Sequence, residues 1–599
     1  MSTVKLTSLL VTSLLYLNCL NLSFVSGQEG GTTLITIPQG TLRGTTTEIF
    51  AGQNVNRFGK VPYADPPTGN LRFRPPTGRP SWDGEWDATR IGPACPQPGW
   101  NVTGILPMLP PDYTLPDVVN EDCLHLNIFT PKMTSEASNY PVMVFIQGGA
   151  YVSGTTQNFY DGSILVAMKE VVVVTFNYRL NALGFLCTHD DEAPGNYGAL
   201  DQIAALEWVN DNIHFFGGDN SSITLFGQSA GAASVGLQMI SPRAKGLFHR
   251  AIAQSGSAFV PFGFKTLPYD IVKNTRKLAE LMSCPTEPSR QLVECLRTRN
   301  EYEIATVSSF LEGDEVPFCP IVDGPGGFMP DDPLTLMANG EYSKVPLLTG
   351  HTAHENGFTL LTIRGVDEGI SREKFEQMIM DRLVLRRIYT EDGPADDAVY
   401  HQDIFNAINF RYTPWKNPND GIALRDSYVK LSVDRGYKAG VYLQAKLVAE
   451  DHVPTYFYRF DYISEYSPWP SWTGVPHGED LLYVFGVPYE TDRPRQWTDR
   501  DRNVSDTVMS LWTNFAKYGD PTPIGQTVPN CGMKWDIFDT NSSSLFHIDA
   551  ECAIKDDLDP MSAVFWNEYD PKVSFSASYP DCSYCGTCTN VDRDSSSRP

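Results

Sequence analysis

The chain has 599 residues, 41% of them hydrophobic and 20% charged, a globular composition long enough for one large domain or several ordinary ones. Its formal net charge of −25 argues against nucleic acid and anionic membrane as partners, because both carry dense negative charge. A cationic ligand is permitted by that charge but not indicated by it.

Residues 1–27 read as a secretory signal peptide. Lys5 precedes an apolar stretch from Leu6 to Val25, and Val25-Ser26-Gly27 places small residues at offsets that suit signal peptidase. Asn18 and Asn21 interrupt the stretch, so cleavage is expected rather than a membrane anchor. The expected product is secreted and extracellular, with no stable membrane insertion, and the polar end "NVDRDSSSRP" carries no lipid-anchor signal. Of the 12 cysteines, eleven remain when Cys19 leaves with the signal peptide, in keeping with an oxidising compartment. Sequons at Asn101, Asn220, Asn503 and Asn541 agree with glycosylation on that route.

No repeat period or low-complexity linker divides the middle of the chain, so residues 28–575 read as one domain and 576–599 as a polar, cysteine-containing tail. Apolar strand-like runs recur along the domain: "VMVFI" from Val142, "VVVVTF" from Val171, "SITLF" from Ser222, "RAIAQ" from Arg250, "VPLLTG" from Val345 and "TYFYRF" from Thr455. Strands buried on both faces and alternating with helices predict an α/β fold, a mostly parallel central sheet with helices on both faces. One such helix is predicted over Leu200–Ile213, with Ile203, Leu206, Trp208 and Ile213 for its buried stripe.

Gly227-Gln228-Ser229-Ala230-Gly231 follows the strand-like run from Ile223 and precedes a small-residue helix start. In a nucleophile elbow of this kind, glycines relieve crowding at a strained turn that exposes a serine hydroxyl at the sheet edge. Upstream, "FIQGGAYVSG" ends a strand in a small-residue loop, where backbone N–H groups of Gly149 and Ala150 could converge with that of Ala230 on a developing oxyanion. The order Ser, acid, His expected of this topology directs attention to His477, in the loop "GVPHGEDLLYVFG", flanked by Pro476 and Gly478. For the acid, Glu355 in "LLTGHTAHENGF" and Asp323 in "PIVDGP" compete, and spacing does not separate them.

These residues, with "RFGKVPYADPPTGNLRFRPP", "EDCLHLNIFTP", "FNYRLNALGFL", "GNYGALDQIAALEWVNDNIHFFGGD", "WTNFAKYGDPTP" and "FWNEYDPK" in that order, resemble the type-B carboxylesterase and cholinesterase family of α/β-hydrolases over nearly the whole mature chain. The resemblance implies a triad of Ser229, Glu355 and His477, oxyanion donors at Gly149, Ala150 and Ala230, and two-step acyl transfer with no metal or organic cofactor. It favours Glu355 over Asp323, which becomes a structural turn residue. It also implies disulfides Cys95–Cys123 and Cys284–Cys295. A third family bridge is not expected, because Ala563 stands where its second cysteine would be; pairing of Cys531 with Cys552 is one option, and the sequence does not establish the connectivity.

Departures from the family pattern bear on substrate. Tyr113 stands near the place of a tryptophan that binds the choline cation, and tyrosine is the weaker cation platform. Gln228 replaces the acid before the nucleophile, and the acyl-pocket segment offers Phe318 without the paired phenylalanines of an acetyl ester enzyme. Phe262 and Phe358 match other aromatic gorge positions, while Gln147 and Ala150 replace family residues at the oxyanion loop. The expectation is therefore a secreted serine carboxylesterase acting on small-molecule, neutral, lipophilic esters. The alternatives are a cholinesterase and a catalytically silent, neuroligin-like adhesion protein, although such family members lack the serine that this chain retains. Cys187 and Cys319 read equally well as free buried thiols or as paired, and Cys582, Cys585 and Cys588 in the tail as disulfide formers available to bridge a homo-oligomer.

Overall fold

Apolar side chains alternate between the two faces of each central strand, and this alternation builds the molecule around one sheet. The computed structural model describes residues 31–573 apart from 51, 79–80, 99–117, 133–138, 158–159, 266–270, 310, 312–315, 385–397, 491–494 and 557. Tyr113, the Asn101 sequon, the signal peptide and the tail cysteines Cys582, Cys585 and Cys588 lie outside the described residues.

Among the described residues, thirteen strands occur in chain order: β1 (Gly31–Ile37), β2 (Gly40–Phe50), β3 (Gln53–Pro62), β4 (Glu85–Asp87), β5 (His125–Pro131), β6 (Tyr140–Ile146), β7 (Val172–Phe176), β8 (Gly218–Gln228), β9 (Arg250–Gln254), β10 (Leu347–Thr352), β11 (Thr455–Phe460), β12 (Ser544–Ile548) and β13 (Cys552–Asp556). They form a single sheet in the order β1-β2-β3-β5-β7-β6-β8-β9-β10-β11-β12-β13, with β4 paired to β2. The run from β7 through β12 is parallel, whereas β1, β2, β3 and β5 lead into it by antiparallel pairing and β13 closes it the same way. The sheet is mixed at its edges and parallel in the centre, the α/β-hydrolase arrangement.

On β6, Val142, Val144 and Ile146 enter one apolar cluster, while Met143 and Phe145 enter another on the opposite face. The same split recurs on β9, where Ala251 and Ala253 face one layer and Ile252 the other. Such period-2 burial, apolar toward both faces at these positions, is what a sheet covered by helices on both faces requires. The helix Tyr197–Asn212 covers the first face, and the helix Asp499–Tyr518 covers the second with Val504, Val508, Leu511, Trp512 and Phe515. Each of those fully buried large side chains contributes about 1.5–3 kcal/mol relative to exposure.

The predicted helix over Leu200–Ile213 begins three residues earlier, after Asn196 in a left-handed conformation, and ends at Asn212 before a tighter 3₁₀ turn. All four predicted stripe residues are buried, but so are Asp201 and Gln202, so no single stripe exists. Asp201 is accommodated because Arg179 reaches it in a fork, Nε to Oδ2 at 2.8 Å and Nη2 to Oδ1 at 2.7 Å.

Three disulfides join described residues: Cys95–Cys123, Cys284–Cys295 and Cys531–Cys552. Cys187 and Cys319 are buried outside any disulfide. No helix among the described residues is long and apolar enough to cross a membrane. Asn220, Asn503 and Asn541 are exposed.

Candidate functional site

Chain order runs β6, β7, β8, but β6 lies between the other two in the sheet, so the connections leave it in opposite directions. At such a switch point the loops beyond the C-terminal strand ends part and leave a crevice. The register Ile146↔Gly227 places the loop after β6 beside the turn after β8, and Gln228↔Gln254 places β9 on the other flank.

Ser229 occupies that turn with φ +60° and ψ −127°, a conformation that ordinary side chains rarely adopt. The neighbouring glycines allow it. A Cβ on Gly227 would stand 2.6 Å from the backbone of Gly231, and one on Gly231 would stand 2.0 Å from the carbonyl oxygen of Ile146. The strained backbone is held by Ser229 N–H donating to the Gln254 carbonyl at 2.9 Å and by Ala233 N–H donating to the Ser229 carbonyl at 2.9 Å. Ser229 is 9% exposed.

Ala230 is the first residue of the helix Ala230–Ile240, where a backbone N–H has no partner within the helix. Gly149 and Ala150, with φ +112° and +54°, form the turn after β6, and the Gly149 carbonyl accepts from Val152 and Ser153 N–H groups, each at 3.0 Å. Gly148 abuts the elbow: a Cβ there would lie 2.9 Å from Ser229 Cβ. The loop and the helix start therefore flank the serine from two sides.

Glu355 and His477 come together from loops after β10 and β11. Backbone bonds zip the loops: His477 N–H donates to the Glu355 carbonyl at 2.9 Å, and His354 N–H to the Val475 carbonyl at 3.0 Å. His477 Nδ1 lies 2.5 Å from Glu355 Oε2, while Glu355 Oε1 accepts the Thr352 N–H at 2.8 Å. Burial alone would raise the Glu355 carboxyl, but the charge and hydrogen bond of His477, aided by Ser255 and His351, hold it below the usual carboxylate range. Glu355 is thus an ionised acceptor, and its bond makes Nδ1 the protonated ring nitrogen and Nε2 the lone pair. Asp323, the competing acid, accepts backbone N–H groups of Phe328 and Met329 at 2.9 and 2.7 Å, as a turn residue does.

Among the pocket residues expected from sequence, Phe262 lies 5.4 Å from the Tyr437 ring, which in turn lies 4.7 Å from the His477 ring. Phe358 pairs with Trp469 at 6.2 Å. Phe318 is 1% exposed and belongs to the principal apolar core. Gln228, read from sequence as a lost charge, places its amide Nε2 3.0 Å from His477 Nε2. Tyr437 anchors its ring beside the site by donating to Asn356 Oδ1 at 3.1 Å.

A buried acid beneath the triad escapes prediction from sequence. Asp480 accepts from Gln254 Nε2 at 2.8 Å and from the Tyr458 hydroxyl at 2.9 Å, and Gln254 accepts from Trp512 Nε1 at 3.0 Å. Burial, with a smaller contribution from the nearby Glu355 charge, pushes the Asp480 carboxyl up to about 6. Its only sequence signal is proximity to His477 in "HGED". No group of three or more metal-ligating side chains occurs among the described residues.

The Carboxylesterase family profile matches residues 31–566. Among curated proteins, the chain is 36% identical over 576 residues to Neuroligin-2 of Mus musculus, covering 89% of this chain and 67% of that protein. It is 36% identical to Neuroligin-2 of Homo sapiens over the same shares, and 34% identical over 609 residues to Neuroligin-3 of Mus musculus, covering 92% and 71%. With a profile match across nearly the whole described chain and the parallel sheet, elbow and loop order in place, the chain belongs to the carboxylesterase family.

Proposed function

We propose that the chain is an extracellular serine carboxylesterase that hydrolyses neutral, lipophilic carboxylic esters through an acyl-enzyme. The observation that carries this reading is the 2.5 Å pairing of His477 Nδ1 with buried Glu355, beside a serine held at positive φ. Ser229 Oγ attacks the ester carbonyl as His477 Nε2 takes its proton, and N–H groups of Gly149, Ala150 and Ala230 receive the oxyanion. His477 then protonates the departing alcohol, and water repeats the cycle on the acylated serine. Glu355 fixes the ring's tautomer and balances its charge when it is protonated. The aromatic wall of Phe262 and Tyr437 beside His477 supports an apolar acyl or alcohol group.

The test is hydrolysis of an activated butyrate ester by the purified secreted chain beside Ser229→Ala. Activity lost in the variant is the expected result, and equal inactivity of two folded proteins would overturn the reading. Comparing choline with uncharged esters of one acyl group separates a cholinesterase from the general esterase; faster turnover of the uncharged ester is expected.

A second reading is favoured by a specific finding, the similarity to Neuroligin-2 and Neuroligin-3 over about nine-tenths of the chain. On it the chain is an adhesion protein that has kept the serine without using it. Failure of the folded protein to react with any organophosphate supports that reading against the first. On either reading, the tail cysteines Cys582, Cys585 and Cys588 are proposed to bridge subunits, which non-reducing electrophoresis of a chain truncated after residue 575 tests; loss of a covalent dimer is expected.

A further inference from the structure

We propose that Gln254 is a positioning residue that sets the spacing between the nucleophile and the base, its backbone carbonyl holding the turn of Ser229 and its side-chain amide holding Asp480 just beyond His477. This deepens the esterase reading and rests on it for the kinetic consequence, though not for the contacts themselves. The Glu355 bond sets the orientation of the imidazole, not its distance from the serine. Gln254 is the last residue of β9, paired with Gln228 on one side and Gly350 on the other, and it is fully buried. Its carbonyl accepts the Ser229 N–H at 2.9 Å. Its Nε2 donates to Asp480 Oδ2 at 2.8 Å, and Asp480 lies in the short helix Glu479–Val484 that begins directly after the His477 loop.

The direction of the amide is fixed by its neighbours. Trp512 Nε1, which can only donate, lies 3.0 Å from Gln254 Oε1, so the carbonyl end faces the indole and the NH2 end faces the carboxyl. Asp480 Oδ2 also accepts from the Tyr458 hydroxyl at 2.9 Å, which clasps the acid between β9 and β11. Trp512 belongs to the helix Asp499–Tyr518, so the layer covering the sheet braces the same side chain. The strand end cannot slip beneath the serine: a Cβ on Gly256 would lie 2.4 Å from the Ser229 carbonyl oxygen, and Ser255 N–H donates to the Gly350 carbonyl at 2.8 Å. One buried side chain thus joins the nucleophile turn, the base segment and the covering helix. A shift of about 1 Å between reacting groups is enough to cost about 10²-fold in rate.

A reversal of donor and acceptor separates positioning from packing. Gln254→Glu keeps shape but sets two carboxyls against each other, so the contact survives only while the pair shares one proton. The ionisable groups facing that pair are Tyr458, Glu355 and His477, while the adjoining Glu479 is engaged by Arg495 Nη2 at 2.6 Å. With p-nitrophenyl butyrate, kcat of Gln254→Glu relative to the parent chain is expected to fall about tenfold or more from about pH 6 to about pH 9, with KM within about threefold. The double variant Gln254→Glu/Asp480→Asn turns the bond round, its new amide donating to the new carboxylate while still accepting from Tyr458. It is expected to return kcat to within about threefold of the parent across that range. A ratio that stayed flat with pH in Gln254→Glu, or a double variant that recovered the parent melting temperature without recovering kcat, would overturn the proposal.

Hydrogen–deuterium exchange decides the contacts whether or not the protein is an esterase. In Gln254→Met, which keeps length and removes the amide, the peptides carrying Ser229 and His477 are both expected to exchange faster than in the parent chain, and in the double variant at the parent rate. Faster exchange confined to the helix Asp499–Tyr518 would show that Gln254 serves only to seat Trp512, and the proposal would fall. If the parent chain neither hydrolyses the ester nor reacts with a fluorophosphonate, the esterase reading fails, while the exchange of those two peptides still decides whether Gln254 holds both segments.

Discussion

Among the described residues, two histidines hydrogen-bond a carboxylate through Nδ1, and only one of them stands beside the serine elbow. His477 pairs with Glu355 in loops beyond the C-terminal ends of β10 and β11, and its side chain is 14% exposed. His547 pairs with Asp461 inside the sheet, in the middle of β12, and is 0% exposed. Asp461 is further occupied by Arg459 Nε at 2.7 Å and has Lys555 Nζ at 3.9 Å, whereas Glu355 accepts from the Thr352 backbone and His477, with Ser255 and His351 beside it. A carboxylate–imidazole bond by itself is therefore a structural clasp. What separates the two is a loop position at the strand ends, a serine elbow alongside, and a path to solvent.

That difference is most exposed to refutation at the nucleophile. On the esterase reading, Ser229→Ala should lower turnover of an activated ester by about 10⁴-fold or more, measured as initial rates at saturating substrate. Glu355→Gln comes next. A glutamine amide would donate to Nδ1 and force the proton onto Nε2, so the ring could no longer act as base, and a loss of about 10⁴ in kcat is expected. If Glu355→Gln retained most of the activity, His477 would owe its tautomer to something other than this bond, and the distinction from His547 would weaken.

How much of this was legible in the sequence depends on whether the cause was local. The strands β9 and β11 coincide with the predicted runs Arg250–Gln254 and Thr455–Phe460, because burial on both faces leaves an unbroken apolar signature. β8 reaches back to Gly218, beyond the predicted start at Ser222, where a register irregularity at Pro141 and Val142 lets the polar segment pair. The antiparallel strands β1 and β2, "GTTLITI" and "GTLRGTTTEIF", present no apolar run, since they are largely half-buried or exposed and rich in threonine. At the site, the elbow was visible because glycines within two residues of Ser229 create it. The amide of Gln228 on His477 spans 249 positions, and no local pattern records such a contact.

A more modest change is expected at two buried acids, Glu355 and the neighbouring Asp480, whose pH signatures run in opposite senses. Glu355, held below its ordinary value, contributes stability that is present at higher pH and is lost as pH falls through its folded value. Asp480, raised from an ordinary 3.8 to about 6, stabilises most when protonated, so its contribution is complete below pH 3.8 and is lost as pH rises through 6. The full difference corresponds to about 3 kcal/mol at neutral pH. Asp480→Asn, which accepts from Gln254 and Tyr458 without a charge, should gain on the parent chain as pH rises from 3.8 to about 6 and hold that gain above it in denaturant unfolding. A gap that stayed constant across that range would mean Asp480 is ionised throughout.

The structural histidine should show the least change in turnover. His547→Gln removes an imidazole from a fully buried strand position and leaves Asp461 with Arg459 as its principal partner. The loss of one charge-assisted, buried hydrogen bond should cost about 2 kcal/mol in unfolding free energy. Because β12 lies at the far side of β11 from β10, and Asp461 leaves β11 directly while His477 sits 16 residues further on, that cost should not reach the base. Turnover at a temperature well below melting is therefore expected to stay within about twofold of the parent chain. A kcat that fell with stability would show that β11 transmits strain from the Asp461 clasp to the His477 loop. The two carboxylate–histidine pairs would then be one coupled system, and the His477 loop would no longer be independent of the sheet beneath it.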